Sequence, residues 1–279
     1  GRMRAMSAPP ASRLAAAPRV GRALRAPRAA ARPARALVVA AAGKPTLVKV
    51  CGVTSVADCA LAVAQGADFV GMILWPKSKR SVDLVLAREI ADAAKEGGAI
   101  PVGVFVDESV DAITSACAAT GIDHAQLHGD GARSALKDLP MAIKAIWVVS
   151  ADKDGNIVTP LPGDEDALMK QRSDAMGANP VTAAVDWVKG PRRVVDWCLV
   201  DGEVAGSGET YDWSNLKPPK GVSRKGWLLA GGLDPTNVKQ AIAVCAPTVV
   251  DVASGVADES GIAKDADKVA AFVANAKSA

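Results

Sequence analysis

Cys51 and Asp201 each close a short apolar run, in Lys49-Val50-Cys51-Gly52 and Leu199-Val200-Asp201-Gly202. A thiol beside a cation ionises readily and becomes a base. A carboxyl in apolar surroundings keeps its proton and can donate it. Each also has a plain structural reading, the Cys as a small apolar filler and the Asp as a turn or cap residue. If the first run is a strand, alternation puts Lys49 and Cys51 on one face, with the ammonium below the thiol. Gln126-Leu127-His128-Gly129 repeats the pattern and pairs Gln126 with His128; His124 is the one other histidine. Trp75-Pro76-Lys77-Ser78-Lys79-Arg80 is a basic loop. There Arg80 can grip a carboxylate through paired hydrogen bonds, or else the loop is simply solvated charge.

Two glycine-bearing segments point to an anion site. Leu229-Ala230-Gly231-Gly232-Leu233 and Asp251-Val252-Ala253-Ser254-Gly255-Val256 each follow or extend an apolar run. Glycine lets backbone N–H groups approach an anion closely. Barrel enzymes hold phosphate between the loops after their seventh and eighth strands, aided by a helix N-terminus. Ala205-Gly206-Ser207-Gly208 is a further small-residue loop, compatible with phosphate or lid duty.

These residues need elements to position them, and the chain supplies a repeat. From Thr46 onward, short β-rich runs alternate with helical segments of mixed polarity. The predicted strands are Thr46–Cys51, Asp68–Leu74, Ile100–Val106, His124–Leu127, Ala142–Val148, Trp197–Val200, Gly226–Ala230 and Val249–Val252. The predicted helices are Val56–Gln65, Asp83–Lys95, Val110–Ala119, Ala132–Lys137, Glu165–Met176, Pro235–Val244 and Asp265–Ala276. Ser55 and the pair Asp234-Pro235 read as helix starts. Eight strands alternating with helices predict a parallel (β/α)₈ barrel over 45–279, with a doubly wound open sheet as the competing α/β architecture. The stretch 150–196 breaks the rhythm with turn residues and reads as an extended connection between strands five and six, carrying one helix and a mobile surface loop.

The composition suits such a fold: 49% of residues are apolar, 23% charged and only 4% aromatic. Short aliphatic side chains fit parallel strands buried on both faces. Charge divides the chain. Residues 1–44 hold nine Arg and Lys44 with no acid, so against a total of +3 the remaining body stands at −7. A mildly acidic body is not a nucleic-acid binder in its main role, since phosphate neutralisation needs clustered cations. The tail, rich in Arg, Ala and Pro, reads as a disordered transit peptide, with a basic nucleic-acid-binding arm as the alternative. No segment has the length of a membrane span. Five cysteines without a C-x-x-C pair read as free thiols in a reducing compartment.

Nine motifs then fall in one order: Val48-Lys49-Val50-Cys51-Gly52-Val53-Thr54, Gly66-Ala67-Asp68-Phe69-Val70-Gly71, Pro76-Lys77-Ser78-Lys79-Arg80, Val102-Gly103-Val104-Phe105-Val106, Gln126-Leu127-His128-Gly129, Leu199-Val200-Asp201, Tyr211-Asp212-Trp213, Ala230-Gly231-Gly232-Leu233 and Asp251-Val252-Ala253-Ser254-Gly255-Val256. That ordered set resembles the phosphoribosylanthranilate isomerases over about residues 46–277. The N-terminal extension and long connection look like the plant and algal members, which work in plastids.

The resemblance implies a (β/α)₈ barrel that carries out an Amadori rearrangement in tryptophan biosynthesis without metal or redox cofactor. It implies Cys51 as general base and Asp201 as general acid. Arg80, Gln126, His128 and Asp251 would contact the substrate, and Gly231, Gly232, Ser254 and Gly255 its phosphate. The implied partner is a small phosphorylated sugar-anthranilate, handled by a monomer, with association with other tryptophan-pathway enzymes left open. Nucleic acid and membrane are not expected partners. The implied location is the chloroplast stroma, the mitochondrion being the alternative. Gly202, Glu209 and Ala253 depart from the family pattern, which usually has Ser, Lys and Ser there. Competing readings are a related histidine-pathway isomerase, a pentulose-phosphate epimerase or a non-catalytic barrel.

Overall fold

The structure, a computed structural model, describes residues 1, 45–162, 194–203 and 210–279. The basic tail, the expected helix at 165–176, the turn run near 177–180 and the small-residue loop at 205–208 lie outside the described residues.

Eight strands close a parallel barrel in sequence order. They are β1 (Leu47–Val50), β2 (Phe69–Ile73), β3 (Ile100–Phe105), β4 (His124–Leu127), β5 (Lys144–Ala151), β6 (Trp197–Gly202), β7 (Trp227–Leu229) and β8 (Val249–Val252). The seam pairs β1 with β8, Lys49 opposite Asp251. The open-sheet alternative is thereby excluded. Outside the strands lie α1 (Val56–Gln65), α2 (Leu84–Glu96), α3 (Val110–Thr120), a short α4 (Asp130–Ser134) running into a 3₁₀ turn at Ala135–Lys137, α5 (Val238–Cys245) and α6 (Ala266–Lys277).

The helix starts follow from capping chemistry. Ser55, Asp83, Ser109 and Asp265 each accept a hydrogen bond from the backbone N–H three residues on, satisfying donors that a helix cannot pair internally. Asp234 caps differently from the expectation. Its carboxylate accepts from the N–H groups of Thr236 and Asn237, closing a turn, so the helix begins at Val238 rather than Pro235.

Two cores result. Phe69, Val102, Ile146, Val148, Trp197, Leu199, Leu228, Ala230 and Val249 fill the barrel interior. Phe69 meets Trp197 edge to face at 5.7 Å, a favoured aromatic geometry. A larger layer of Ala, Val, Leu and Ile packs between strands and helices. Because β2, β6 and β8 give Phe69, Trp197, Leu199 and Val249 to the interior, period two aims Gly71, Asp201 and Asp251 inward too, one or two steps nearer the mouth.

The fifth strand runs past its expected end at Val148 to Ala151, since β6 pairs with it through Asp201 and Gly202. The following segment folds back: Ser150 N–H donates to Thr159 Oγ1 at 3.0 Å, and the Trp147 indole donates to the Pro160 carbonyl at 3.2 Å. The connection between β5 and β6 therefore starts at residue 152, two later than the sequence suggested.

Candidate active site

Lys49, Cys51, Arg80, Gln126, His128, Asp201, Asp251 and the two glycine segments stand toward the C-terminal ends of strands or in the loops beyond, the end where barrels do chemistry. His124 does not, since it opens β4 at the other end, paired with Asp123 at 2.8 Å. On β1 the Lys49 ammonium is fully buried and donates to both carboxylate oxygens of Asp251, at 2.9 and 3.0 Å. Burial alone pulls the Lys49 ionisation point down; Asp251 and then Cys51 outweigh it, and the net direction is upward. The ammonium stays charged. Cys51 is buried one step above, its N–H bonded to the Val252 carbonyl at 2.8 Å. Gly71 makes room for the pair. A Cβ there would come within 2.7 Å of the Cys51 sulfur and 3.2 Å of Lys49 Nζ.

Asp201 ends the inward row of β6. Burial pushes its carboxyl up to about 6, with help from the charge of Asp251, against the Gly202 N–H and Lys49. His128 Nε2 lies 3.8 Å from Asp201 Oδ2, and His128 Nδ1 is 3.3 Å from Gln126 Nε2. The imidazole is pushed down to about 4 by burial and then by the charges of Arg133 and Lys49, so it is neutral at physiological pH. The pair at Lys49 and Asp251 thus bears on both sides of the mouth. The ammonium faces the thiol on β1, and both charges act on the acid of β6.

Arg80 is only 8% exposed, and its Nε and Nη1 have no hydrogen-bond partner. It presses on Gly52, whose φ of +66° suits a residue without a side chain. Gln126 Oε1 is likewise buried and unpaired. Unpaired buried polar atoms are costly and call for a ligand or water. In the expected phosphate site, Gly231 takes φ +86° and a Cβ on it would come within 2.7 Å of the Gly202 backbone nitrogen, while a Cβ on Gly255 would come within 2.0 Å of the Leu233 carbonyl oxygen. The loops after β7 and β8 are therefore in backbone contact. Ser254 opens a 3₁₀ turn through Val256.

Three participants were not singled out from the sequence. Lys264 is buried, with its ammonium donating to the Ala253 carbonyl at 3.0 Å. Arg133 is buried and donates to the carbonyls of His128 (2.7 Å) and Val148 (3.1 Å) and to Asp130 (2.6 Å). Tyr211 backs Gly231 and donates to the Ala230 carbonyl at 3.2 Å. Only Tyr211 had a signal, through its place in Tyr211-Asp212-Trp213. Among the described residues no group of His, Cys, Asp and Glu is arranged to hold a metal ion, and no helix is long and apolar enough to cross a membrane.

A closed parallel barrel with a thiol, a carboxyl held toward its acid form and an unpaired guanidinium at one rim defines a (β/α)₈-barrel enzyme for an anionic substrate. Comparison with known proteins gives the family. The N-(5'-phosphoribosyl)anthranilate isomerase family model matches residues 48–168 and 181–275, and the chain belongs to that family of tryptophan-biosynthetic isomerases. It is 40% identical over 232 residues to the chloroplastic N-(5'-phosphoribosyl)anthranilate isomerase 1 of Arabidopsis thaliana, covering 83% of this chain and 75% of the relative. The Chlamydia caviae enzyme is 36% identical over 230 residues, with 82% and 96% covered. The phosphoribosylanthranilate isomerase of Thermotoga maritima superposes with TM-score 0.63 at 30% identity, over 84% of this chain and all of that one. A family structure in complex with reduced 1-(o-carboxyphenylamino)-1-deoxyribulose 5-phosphate superposes with TM-score 0.60 at 29% identity, over 84% and 100%.

Proposed function

We propose that this chain converts N-(5-phospho-β-D-ribosyl)anthranilate to 1-(2-carboxyphenylamino)-1-deoxy-D-ribulose 5-phosphate, with Asp201 as acid and Cys51 as base. Asp201 gives its proton to the furanose ring oxygen. The C1–O bond breaks as the nitrogen lone pair forms a C1=N Schiff base. The Cys51 thiolate takes the C2 proton, and the C–H electrons form a C1=C2 bond while the nitrogen regains its lone pair. The enolamine then becomes the ketone by moving its hydroxyl proton to C1. No redox cofactor or metal enters the balance.

One observation carries this reading: a carboxyl pushed up to about 6 on β6 and a thiol over a buried ammonium on β1, with the Lys49–Asp251 pair acting on both. Separate environments are how one site keeps an acid and a base at once. Arg80 is the holder of the anthranilate carboxylate, its idle N–H groups fitting a bidentate pair. Gln126, His128 and Asp251 contact the sugar side. Backbone N–H groups of Gly231, Gly232, Ser254 and Gly255 take the phosphate.

The test is the loss of substrate fluorescence on turnover. Cys51→Ala and Asp201→Asn are each expected to lower kcat by about 10²–10⁴, the usual worth of a positioned acid or base. Wild-type rates in both variants would end the assignment. For location, residues 1–44 are read as a transit peptide to the chloroplast stroma, supported by the chloroplastic relatives. A fluorescent fusion of residues 1–45 should enter plastids; accumulation in mitochondria would favour the alternative.

A further inference from the structure

Arg80 and Lys264 are two buried cations flanking the same strand end. Residue 51 and residue 252 are joined by a backbone hydrogen bond. The next residue along each segment, just past β1 and β8, borders a cation: Gly52 backs the Arg80 side chain, and the Ala253 carbonyl accepts from Lys264 Nζ. The fold-back that brings Lys264 there is a bridge between Ala257 and Lys264. Lys264 is 7% exposed and Arg80 8%. An ammonium has three donors, and among the described residues that of Lys264 has one acceptor. The guanidinium has two idle nitrogens, Nε and Nη1, with three N–H bonds between them.

Neither cation forms an ion pair among the described residues. Asp251 is committed to Lys49, and the carboxylate of Asp58, buried on α1, keeps an unpaired oxygen. Burial pushes the Lys264 ammonium down to about 8; Cys51 opposes this, Arg80 adds to it, and Asp58 and Asp251 oppose it weakly. Two neighbouring buried cations with idle donors are a poor arrangement alone and a good one around an anion.

We infer that Lys264 is a second cation for the aryl carboxylate of the substrate, paired with Arg80, and so a specificity-determining residue. The inference rests on the reading of Arg80 as carboxylate holder. A carboxylate between the two satisfies the guanidinium edge through one oxygen pair and the ammonium through the outer lone pairs. It also restores the charge on Lys264, so binding at pH above 8 draws in a proton. The titratable and charged groups facing Lys264 are Cys51, Arg80, Asp58 and Asp251, and Cys51→Ala isolates the lysine from the thiol.

The test is calorimetric titration of the full chain with the reduced, unreactive product analogue and with its carboxamide counterpart. It is run at pH 8.5 in two buffers of different ionisation enthalpy. Wild type and Cys51→Ala are expected to take up part of a proton with the carboxylate, and Lys264→Met none. Lys264→Met should weaken the carboxylate ligand about ten- to a hundredfold, as for a lost charged hydrogen bond, and the carboxamide less than about twofold. Absence of uptake in wild type, or equal weakening of both ligands, overturns the inference. If Arg80→Met discriminates between the ligands and Lys264→Met does not, the role of Lys264 falls and that of Arg80 stands. If neither discriminates, both fall.

Discussion

As the proposed acid, Asp201 carries opposed demands, and they predict a trade between activity and stability. Its folded-state ionisation point, about 6, lies above the unfolded value. The fold therefore favours the protonated carboxyl. That stability is fully present below the unfolded value near 4 and is lost as pH rises through about 6. Asp201→Asn removes the penalty of burying a charge at neutral pH. We expect a variant that melts higher than wild type at pH 7.5 and approaches it at pH 4, while losing activity. Equal melting points at both values would contradict the desolvated-acid reading. His128 runs the other way. Its point is depressed to about 4 from 6.5, so its contribution is present above 6.5 and lost as pH falls toward 4. Removing the charge of Arg133 with Arg133→Met should raise the imidazole titration seen by NMR, because that charge faces His128. At this scale the sequence was informative where period two applied: it put Lys49 below Cys51 and Gln126 beside His128. It was silent on Lys264, because a bridge to Ala257 buries that lysine within a loop that has no period.

At the scale of elements, the strand ends decide what the site can be. His124–Leu127 and Val249–Val252 were read from the sequence with the observed bounds, and the α1 span likewise. Turn residues bracket both strands, Gly121 and Gly129 around the first and Pro247 and Gly255 around the second, and valines fill the second. The errors arose where partners, not local propensity, set the limit. Ser150 and Ala151 remain extended because Asp201 and Gly202 pair with them, and Pro235 stays outside α5 because Asp234 bonds into a turn. The loop contact after β7 and β8 gives a prediction of its own. A methyl on Gly255 would meet the Leu233 carbonyl oxygen, and two backbones must part to admit it. Gly255→Ala should raise KM more than about tenfold with a smaller change in kcat, since a displaced phosphate cradle loses binding common to ground and transition states. An unchanged KM would remove these loops from the phosphate site. Ser254→Ala is the gentler control, leaving the backbone N–H groups in place.

Barrels as a class separate holding together from doing chemistry, one at each end. At the bottom, the Asp68 carboxylate accepts from the Val48 N–H at 2.9 Å and pairs with the Lys277 ammonium at the end of α6. The first strand and the last helix are thus fastened beside one residue, far along the sequence from each other and away from Cys51 and Asp201. Nothing local in Gly66-Ala67-Asp68 announces that duty, since Lys277 is 209 residues away. What the sequence did convey was the count of eight strands alternating with helices; the β1–β8 pairing then decided for closure over an open sheet. Asp68→Ala removes an acceptor from a backbone N–H and a partner from an ammonium. The cost should be about 1–3 kcal/mol of stability, the range for leaving partly buried donors unpaired. Activity at 25 °C should survive within about twofold, because the rim geometry is set by the β1–β8 and β5–β6 registers above it. A chemical-denaturation midpoint that drops while kcat and KM hold is the expected pair of readings. A variant of unchanged stability and lost activity would mean that the two ends are coupled, and that the geometry of Cys51 and Asp201 at the mouth depends on how the barrel is fastened below.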